Sequence, residues 1–380
     1  MYRPFREYHI LSILNEYDQQ ALPLDLSISN YFRAHKALGS KDRGFITETI
    51  YAIVRWKGLL DFLGNGTPTW EERLDLYLSP IFTASRERTD IPLATRLSFP
   101  QTLFDRLVAS HGIDVATDIC TISNTPAPTT VRVNTLKTTR EEMLKRWRGV
   151  YPVYPCEYAP NGIVFEKRIN FFELAEFKEG LFEIQDEGSQ LLSGLVQAKP
   201  GDLVMDYCAG AGGKTLAFAP QMNNTGQIFL HDIRKHTLQD SSKRLRRAGI
   251  QNAQIVFDDE KKLKKLKKTM DWVLVDAPCT GTGTLRRNPD MKWKLNEEMI
   301  TRLLGLQRVI FEKALSFMKP TGRIVYATCS VLHEENRKQT EHFIATYNLE
   351  YAAEHFESLP VMGGMDGFYG VVLKNSSKEN

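Results

Sequence analysis

Apolar residues recur every three to four positions in the first part of the chain, which is the spacing of one face of an amphipathic helix. The stripes are Ile10, Leu11, Ile13 and Leu14, then Leu24, Leu26, Ile28 and Phe32, then Ile46, Ile50, Ile53 and Val54. Pro23 separates the first two stripes, and Ser40 is a good N-cap for the third. After a Gly-Pro turn at 64–68 the pattern favours further short helices. We therefore predict an all-helical domain over residues 1–123.

The pattern changes to short runs with alternating sides between residues 124 and 195. Strands are predicted at 131–134, 163–165 and 181–184, and a helix at 138–147. An amphipathic helix with Leu191, Leu192, Leu195 and Val196 follows. This stretch is predicted to be a small α+β module.

From Pro200 onward, strands and helices alternate. Strands are predicted at 203–206, 228–232, 255–257, 272–276 and 323–328, with a late β segment at 368–373. Alternating β and α elements predict a doubly wound, mostly parallel sheet. The third predicted domain, residues 196–380, is thus a Rossmann-like α/β domain.

The composition excludes some classes of protein but does not indicate a particular function. The 380 residues are 42% hydrophobic and 25% charged, with a net charge of +3. We expect no membrane segment, because no apolar leader or long apolar run is present. Five cysteines suit neither a disulfide framework nor a zinc site, because they are odd in number and contain no CxxC pair. No metal is predicted, and a reducing cytoplasm is the expected location.

A Gly-rich turn follows the strand at 203–206 and opens a helix. Its residues are Cys208, Ala209, Gly210, Ala211, Gly212, Gly213 and Lys214. Both the Walker A and the GxGxxG patterns fail here, at Cys208 and Thr215 respectively. Asp232 ends the next strand, where a carboxylate can accept both hydroxyls of a ribose. These features predict a site for S-adenosylmethionine, to which Asp258 or Asp259 would add the adenine side. The alternative is a purely structural turn.

Asp276, Cys279 and Cys329 lie at the C-terminal ends of two predicted strands, the edge where ligands bind in open α/β sheets. A thiolate that adds to carbon 6 of a pyrimidine makes carbon 5 nucleophilic enough to accept a methyl group. A carboxyl group near N3 would stabilise the developing charge. A buried structural role is the alternative for each cysteine.

Two lysine- and arginine-rich stretches could contact nucleic acid. Arg286, Arg287 and Lys292, beside Trp293, suit a phosphate backbone and a stacked base. The run from Lys261 to Lys268 is instead predicted to be a solvated helix face with its two leucines turned inward.

Taken together, these segments resemble the Sun (Fmu/NSUN) family of RNA cytosine-5 methyltransferases over nearly the full length. The resemblance rests mainly on 206–215, 276–281, 286–290, Thr328-Cys329-Ser330 and 334–336. Arg132-Val133-Asn134, Gln185-Asp186 and Asp366-Gly367-Phe368 also resemble family segments. The first 123 residues resemble the NusB-like RNA-binding domain of the members that modify small-subunit ribosomal RNA.

The resemblance implies a role for each of these residues. Cys329 would be the nucleophile, Cys279 the cysteine needed for release, and Asp276 the contact to the base and a neighbour of the cofactor. The loop from Cys208 to Lys214, with Asp232 and either Asp258 or Asp259, would hold S-adenosylmethionine. Arg132 and Asn134 would join Arg286, Arg287 and Lys292 in binding RNA. A monomer acting on ribosomal RNA is expected.

Three alternatives stay open at the level of sequence. Transfer RNA could be the substrate in place of ribosomal RNA. The two cysteines could exchange roles, as in DNA cytosine methyltransferases, whose nucleophile lies in a Pro-Cys pair like Pro278-Cys279. A non-catalytic RNA-binding protein on a methyltransferase scaffold would also carry many of these segments.

Overall fold

The computed structural model describes residues 3–20, 22–167, 169–257 and 260–376. The chain forms two compact units. The helical unit comprises Met1–Pro126 and Thr284–Asn296, and the sheet unit comprises Ala127–Gly283 and Glu297–Asn380. The predicted three-domain division differs from this arrangement in two ways. The module at 124–195 belongs to the same unit as the Rossmann-like sheet, and residues 284–296 belong to the helical unit.

The described α-helices are α1 (Phe5–Gln19), α2 (Leu24–Ala34), α3 (Ser40–Arg55), α4 (Lys57–Leu63), α5 (Trp70–Leu78), α6 (Pro80–Ser85), α7 (Leu93–Arg96), α8 (Gln101–His111), α9 (Ile113–Ser123), α10 (Arg140–Trp147), α11 (Ala175–Lys178), α12 (Glu187–Ser193), α13 (Thr215–Phe218), α14 (Lys235–Ala248), α15 (Glu260–Leu266), α16 (Met291–Lys294), α17 (Glu297–Leu315) and α18 (Arg337–Tyr347).

The described strands are β1 (Thr129–Val133), β2 (Val153–Pro155), β3 (Gly162–Phe165), β4 (Phe182–Ile184), β5 (Leu203–Asp206), β6 (Gln227–Leu230), β7 (Ala253–Ile255), β8 (Met270–Asp276), β9 (Met318–Thr328), β10 (Leu349–Tyr351), β11 (Phe356–Ser358) and β12 (Phe368–Asn375). No described helix is both long enough and apolar enough to cross a membrane.

Helices α1 to α9 form most of the helical unit, as the apolar spacing of residues 1–123 predicts, and α16 joins them from far along the chain. Pro4, Pro23, Pro92 and Pro100 stand immediately before helices, where a missing N–H costs nothing. Thr69 and Glu72 form a reciprocal capping box at the start of α5. The predicted stripes supply its core, including Ile10, Ile50 and Ile53.

Residues 284–296 complete the core of the helical unit. The Trp293 indole N–H donates to the carbonyl of Val54 at 2.7 Å. The Arg55 guanidinium donates to the carbonyl of Arg286 at 2.9 Å. The Lys292 ammonium is buried, donates to Asn124 at 3.0 Å and lies 4.2 Å from the centre of the Phe99 ring. A segment far along the chain therefore belongs to the N-terminal core.

The sheet unit contains two sheets. The smaller has the antiparallel order β2-β3-β1-β4. In the larger, β9-β8-β5-β6-β7 are parallel, and the antiparallel β12 extends it beyond β9 and carries β10 and β11. Successive strands run outward from β5 to β7, and the chain then returns to β8 on the other side of β5. The order reverses there, so the crevice at the C-terminal ends of β5 and β8 is the expected ligand site. The predicted α/β class is confirmed.

Candidate active site

A loop of small residues leaves the end of β5. Gly210 and Gly212 have φ of 52° and 76°, in the left-handed region that favours glycine. A Cβ atom at Gly212 would lie 3.2 Å from the Cβ of Ser241, whereas Gly213 has no heavy atom of the described residues in reach. The chain then enters α13. The two glycines therefore allow a tight turn at this place, and the binding of a ligand by the backbone of the loop stays a prediction.

Asp206 ends β5 beneath this loop and is almost fully buried. Its Oδ2 accepts a hydrogen bond from the Thr215 hydroxyl at 2.6 Å, while its Oδ1 has no hydrogen-bond partner among the described residues. Burial raises the pKa of Asp206 to about 7. An unpartnered carboxylate oxygen at this depth suits an ammonium group, such as that of the methionine part of S-adenosylmethionine.

Asp232 follows β6 and faces the same loop. Its Oδ2 accepts from the backbone N–H of Gly210 at 2.8 Å, and its Oδ1 accepts from the backbone N–H of Arg234 at 2.8 Å. The Arg234 guanidinium also pairs with it. Burial alone would raise the pKa of Asp232, but the bonds from Arg234 and Gly210 lower it below its usual value. The charged carboxylate fits a ribose, which would take the place of the half-exposed guanidinium.

Asp258 and Asp259, predicted to contact the adenine side, lie outside the described residues. The cofactor fit therefore rests on the loop from Cys208 to Lys214 together with Asp206 and Asp232.

Two thiols meet beside the loop. The sulfur atoms of Cys279, after β8, and Cys329, after β9, are 3.4 Å apart. The hydrogen bond to Cys329 and burial together raise the pKa of the Cys279 thiol well above its usual value.

Lys214 connects this pair of thiols to the cofactor loop. Its ammonium forms an ion pair with Asp276. Burial alone would lower the pKa of Lys214, but Asp276 outweighs burial and raises it. Lys214 is therefore a fixed positive charge beside Asp276. The sequence places these residues 62 positions apart and gives no sign of this pairing.

A buried polar network holds the loops after β8 and β9 together. The carboxylate of Glu335 accepts from the backbone N–H of Thr280 at 2.9 Å and from the side-chain amide of Gln307 at 2.9 Å. Burial raises the pKa of Glu335. The hydroxyls of Thr282 and Ser330 are 3.0 Å apart. These residues fix the two cysteine loops and were not predicted, although Glu335 lies in a segment that carried the family resemblance.

Four of the five residues predicted to bind RNA are buried. Arg132 is buried and donates to Gln185 and, at 3.4 Å, to the carbonyl of Gly213 in the cofactor loop. Asn134 is buried and donates to the carbonyls of Gly180 and Ala248, both at 2.8 Å. Arg286 and Lys292 are 2% and 1% exposed within the helical unit. Arg287 is half-buried.

Comparison with known proteins agrees with this geometry. The family model described as 16S rRNA methyltransferase RsmB/F matches residues 194–369, and the ferredoxin-like domain model of the same family matches residues 99–171. A crystal structure of a methyltransferase homologue from Pyrococcus horikoshii superposes with a TM-score of 0.65 at 26% identity, covering 79% of this chain and 100% of that one.

Three curated relatives carry ribosomal RNA methyltransferase names. The ribosomal RNA small subunit methyltransferase B of Sodalis glossinidius is 32% identical, over 76% of this chain and 68% of that protein. The probable enzyme of that name from Synechocystis is 25% identical, over 91% and 90%. A mouse 28S rRNA (cytosine-C(5))-methyltransferase is 29% identical over 68% of this chain and 33% of its own length. Several other relatives are also matched over less than two thirds of their length, for example 57% in Bacillus subtilis.

The matched family and the site agree on one class of enzyme. The chain belongs to the RsmB/F methyltransferase family and is an S-adenosylmethionine-dependent RNA methyltransferase.

Proposed function

We propose that this protein methylates carbon 5 of a cytosine in small-subunit ribosomal RNA through a covalent adduct between Cys329 and carbon 6. The observation that supports it most is the pair of sulfur atoms 3.4 Å apart beside the Lys214–Asp276 ion pair. Methyl transfer to oxygen or nitrogen needs no covalent adduct with the enzyme, whereas transfer to carbon 5 needs both the attack of a thiol and its release. The mouse relative is named for carbon-5 methylation of cytosine.

Each side chain has a distinct part in this mechanism. The Cys329 thiolate forms a bond to carbon 6, and the electron pair moves to carbon 5. Asp276, paired with Lys214, accepts a hydrogen bond from the amino group at the N3 edge of the cytosine. S-adenosylmethionine, bound by the loop from Cys208 to Lys214 and by Asp206 and Asp232, supplies the methyl group. Loss of the carbon 5 proton to a base then allows the carbon 6–sulfur bond to break.

We assign release to Cys279. Its raised pKa keeps the thiol protonated, so it is a poor first nucleophile but can return a proton to the departing Cys329 sulfur. The half-buried position of both cysteines agrees with a target base that is unstacked and enters from one side.

Trapping on RNA that contains 5-azacytidine tests these roles. The wild-type protein should give a covalent adduct that resists denaturation, and Cys329→Ala should give none. Cys279→Ala should form the adduct and, on ordinary RNA, accumulate it. Cys156→Ala, a buried cysteine outside the site, is the matched control and should behave as wild type. Adduct formation by Cys329→Ala but not by Cys279→Ala would reverse the assignment.

Mapping 5-methylcytosine in cells that lack the gene tests the substrate. We expect loss of methylation at a position in small-subunit ribosomal RNA. Loss in transfer RNA alone would favour the other substrate class. No change in any RNA, with cofactor binding intact, would favour a non-catalytic role. A cytoplasmic monomer, with the five cysteines free, remains part of this proposal.

A further inference from the structure

Helix α15 carries a dense cluster of positive charge that the proposed reaction does not use. Residues 261–268 contain six lysines and no acid, and all six side chains are exposed. We call this cluster the lysine patch; it consists of Lys261, Lys262, Lys264, Lys265, Lys267 and Lys268. With the three acids at 258–260 the stretch has a net charge of +3, which equals that of the whole chain. The rest of the chain is therefore neutral overall.

The patch is held in a fixed place on the sheet unit. Leu263 and Leu266 turn inward and pack on the core cluster that contains Met205 of β5 and Val273 of β8. Four of the six lysines lie on the other sides of the helix, which rises about 1.5 Å per residue, and Lys267 and Lys268 lie in the turn after it. The backbone N–H of Lys268, two residues after the end of the helix, donates to the carbonyl of Ser316, which follows α17, at 3.0 Å. The charges are therefore brought together within about 12 Å.

The other basic helix of this unit is arranged differently. In α14, Arg244 and Arg247 both pair with the buried carboxylate of Glu183. Those arginines serve the fold. In α15 the acid Glu260 pairs with Lys264, and both groups are exposed to solvent, where such a pair contributes little. Packing in the core thus accounts for Leu263 and Leu266, whereas the side chains of Lys264, Lys265 and Lys267 are exposed to solvent.

We propose that the lysine patch binds the phosphate backbone of the RNA substrate away from the target nucleotide. This inference rests on the proposed function for the identity of the RNA. The helix follows β7 in the chain and therefore begins at the C-terminal edge of the sheet, where Asp206, Cys279 and Cys329 lie. It then packs on one face of the sheet, against β5 and β8. An RNA strand whose base enters the site can continue along that flank. Six exposed ammonium groups suit repeated phosphates, with no base specificity.

The salt dependence of RNA binding tests the proposal. We compare the wild-type protein with the triple variant Lys264→Gln, Lys265→Gln and Lys267→Gln, using a fluorescently labelled transcript of small-subunit ribosomal RNA. Each lost phosphate contact lowers the slope of log K against log salt by about 0.7 on single strands, so a fall of about 2 is expected. Binding at about 0.1 M salt should weaken at least tenfold, with KM for RNA raised and kcat unchanged.

A matched control removes the same charge elsewhere. Lys145→Gln, Lys178→Gln and Lys199→Gln together alter three exposed lysines of the sheet unit and should leave the slope unchanged. An equal fall in both triple variants would overturn the proposal, because net charge alone would explain it, and so would an unchanged slope in the first. Patch-dependent binding to vesicles of anionic lipid with RNA affinity unaffected would overturn it in favour of a membrane partner.

The covalent trap separates this inference from the function on which it rests. At saturating RNA, the variant of the lysine patch should still form the 5-azacytidine adduct. If the wild-type protein forms no adduct but the slope falls as expected, the patch binds RNA and the proposed chemistry fails. If the adduct forms and the slope does not change, the proposed chemistry is supported and RNA binding by the lysine patch is ruled out.

Discussion

The protonation state of the Asp206 carboxyl group depends on pH. Its pKa is raised to about 7 in the folded protein, against about 3.9 in an unfolded chain. Between these values the folded state binds a proton that the unfolded state has released, so this group favours folding less as pH rises through that window. We expect the melting temperature of the wild-type protein to fall from about pH 5 to about pH 8 more steeply than that of Asp206→Asn.

The pH dependence of cofactor affinity is a second measure of the protonation of Asp206. An ammonium group beside Asp206 favours the charged carboxylate, so binding of S-adenosylhomocysteine should strengthen as pH rises through about 7 in the wild-type protein. In Asp206→Asn this dependence should disappear. Thr237→Val, an exposed hydroxyl on α14, is a control that should keep the wild-type profile. A pH-independent affinity in the wild-type protein would show that Asp206 does not meet the cofactor.

At the scale of residues, sequence alone predicts which side chains lie in the site but not which groups they pair with. Cys279 and Cys329 were placed together because both follow parallel strands, and the structure confirms that they meet. The ion pair of Lys214 with Asp276 was not predictable, because it depends on how closely the loop after β5 approaches β8. The burial of Lys292 was equally hidden, since a lysine near a tryptophan usually indicates a surface.

The loop after β8 passes close to the loop after β9 at Gly283. Its N–H donates to the carbonyl of Cys329, and its carbonyl accepts from the N–H of Gly367, each at 2.9 Å. A Cβ atom here would lie 2.0 Å from the carbonyl oxygen of Gly367 and 2.9 Å from that of Cys329. We expect Gly283→Ala to move the cysteine loops apart and to reduce the rate of adduct formation at least tenfold.

Gly305 in α17 gives the matched control for this substitution. A Cβ atom there meets no described heavy atom within 4 Å. Gly305→Ala should stabilise the helix by about 1 kcal/mol and leave the rate of adduct formation unchanged. Single-turnover trapping measures the rate, and urea unfolding measures the stability. A normal rate in Gly283→Ala would mean that the contact between the loops does not position the thiols.

Asn134 joins the small sheet to the large one. Its amide group satisfies two buried carbonyls, Gly180 after α11 and Ala248 at the end of α14. Asn134→Ala would leave both carbonyls unpaired and should lower the free energy of unfolding by about 3 kcal/mol. Asn170→Ala, an exposed amide in the same module, should cost less than about 0.5 kcal/mol. If Asn134 instead contacts RNA, the variant would keep its stability and lose affinity.

Periodicity predicts the long elements better than the short ones. The parallel strands β5, β6, β8 and β9 are apolar runs followed by polar or Gly-rich turns, so their positions were predicted closely. Strands β2, β10 and β11, with three residues each, were missed. Strands β4 and β7 are equally short and were predicted, β7 two residues too late, because further apolar residues adjoin them in the sequence.

At the scale of the whole molecule, the helical unit is not a separable N-terminal domain. Residues 284–296 belong to its core, yet they lie between the cysteine loop of β8 and α17. A chain restricted to residues 127–380 would expose Leu285 and Trp293, together with the charge of Lys292. We expect that fragment to aggregate, and co-expression with residues 1–126 as a second chain to restore solubility. Solubility is measured by size-exclusion chromatography.

Co-expression with an unrelated helical protein is the control and should leave the fragment insoluble. A soluble, folded fragment 127–380 would show that the core of the helical unit does not require this segment. Sequence could not reveal the insertion. The amino-acid pattern of segment 284–296 is typical of a basic surface loop. Only the structure shows that Trp293 packs against α3 and α4.

The same insertion sets the order in which the protein can mature on the ribosome. The first nine helices leave the ribosome early, but their core lacks its last piece until Asn296 has been made, 170 residues after Pro126. At about 5 to 20 residues per second, that is a wait of about 10 to 30 s. During this interval the apolar residues that pack against Trp293 are not yet covered by it, and they form a surface to which a chaperone can bind. The N-terminal unit is thus begun first, but it is completed only after β8 and its cysteine loop have been synthesised.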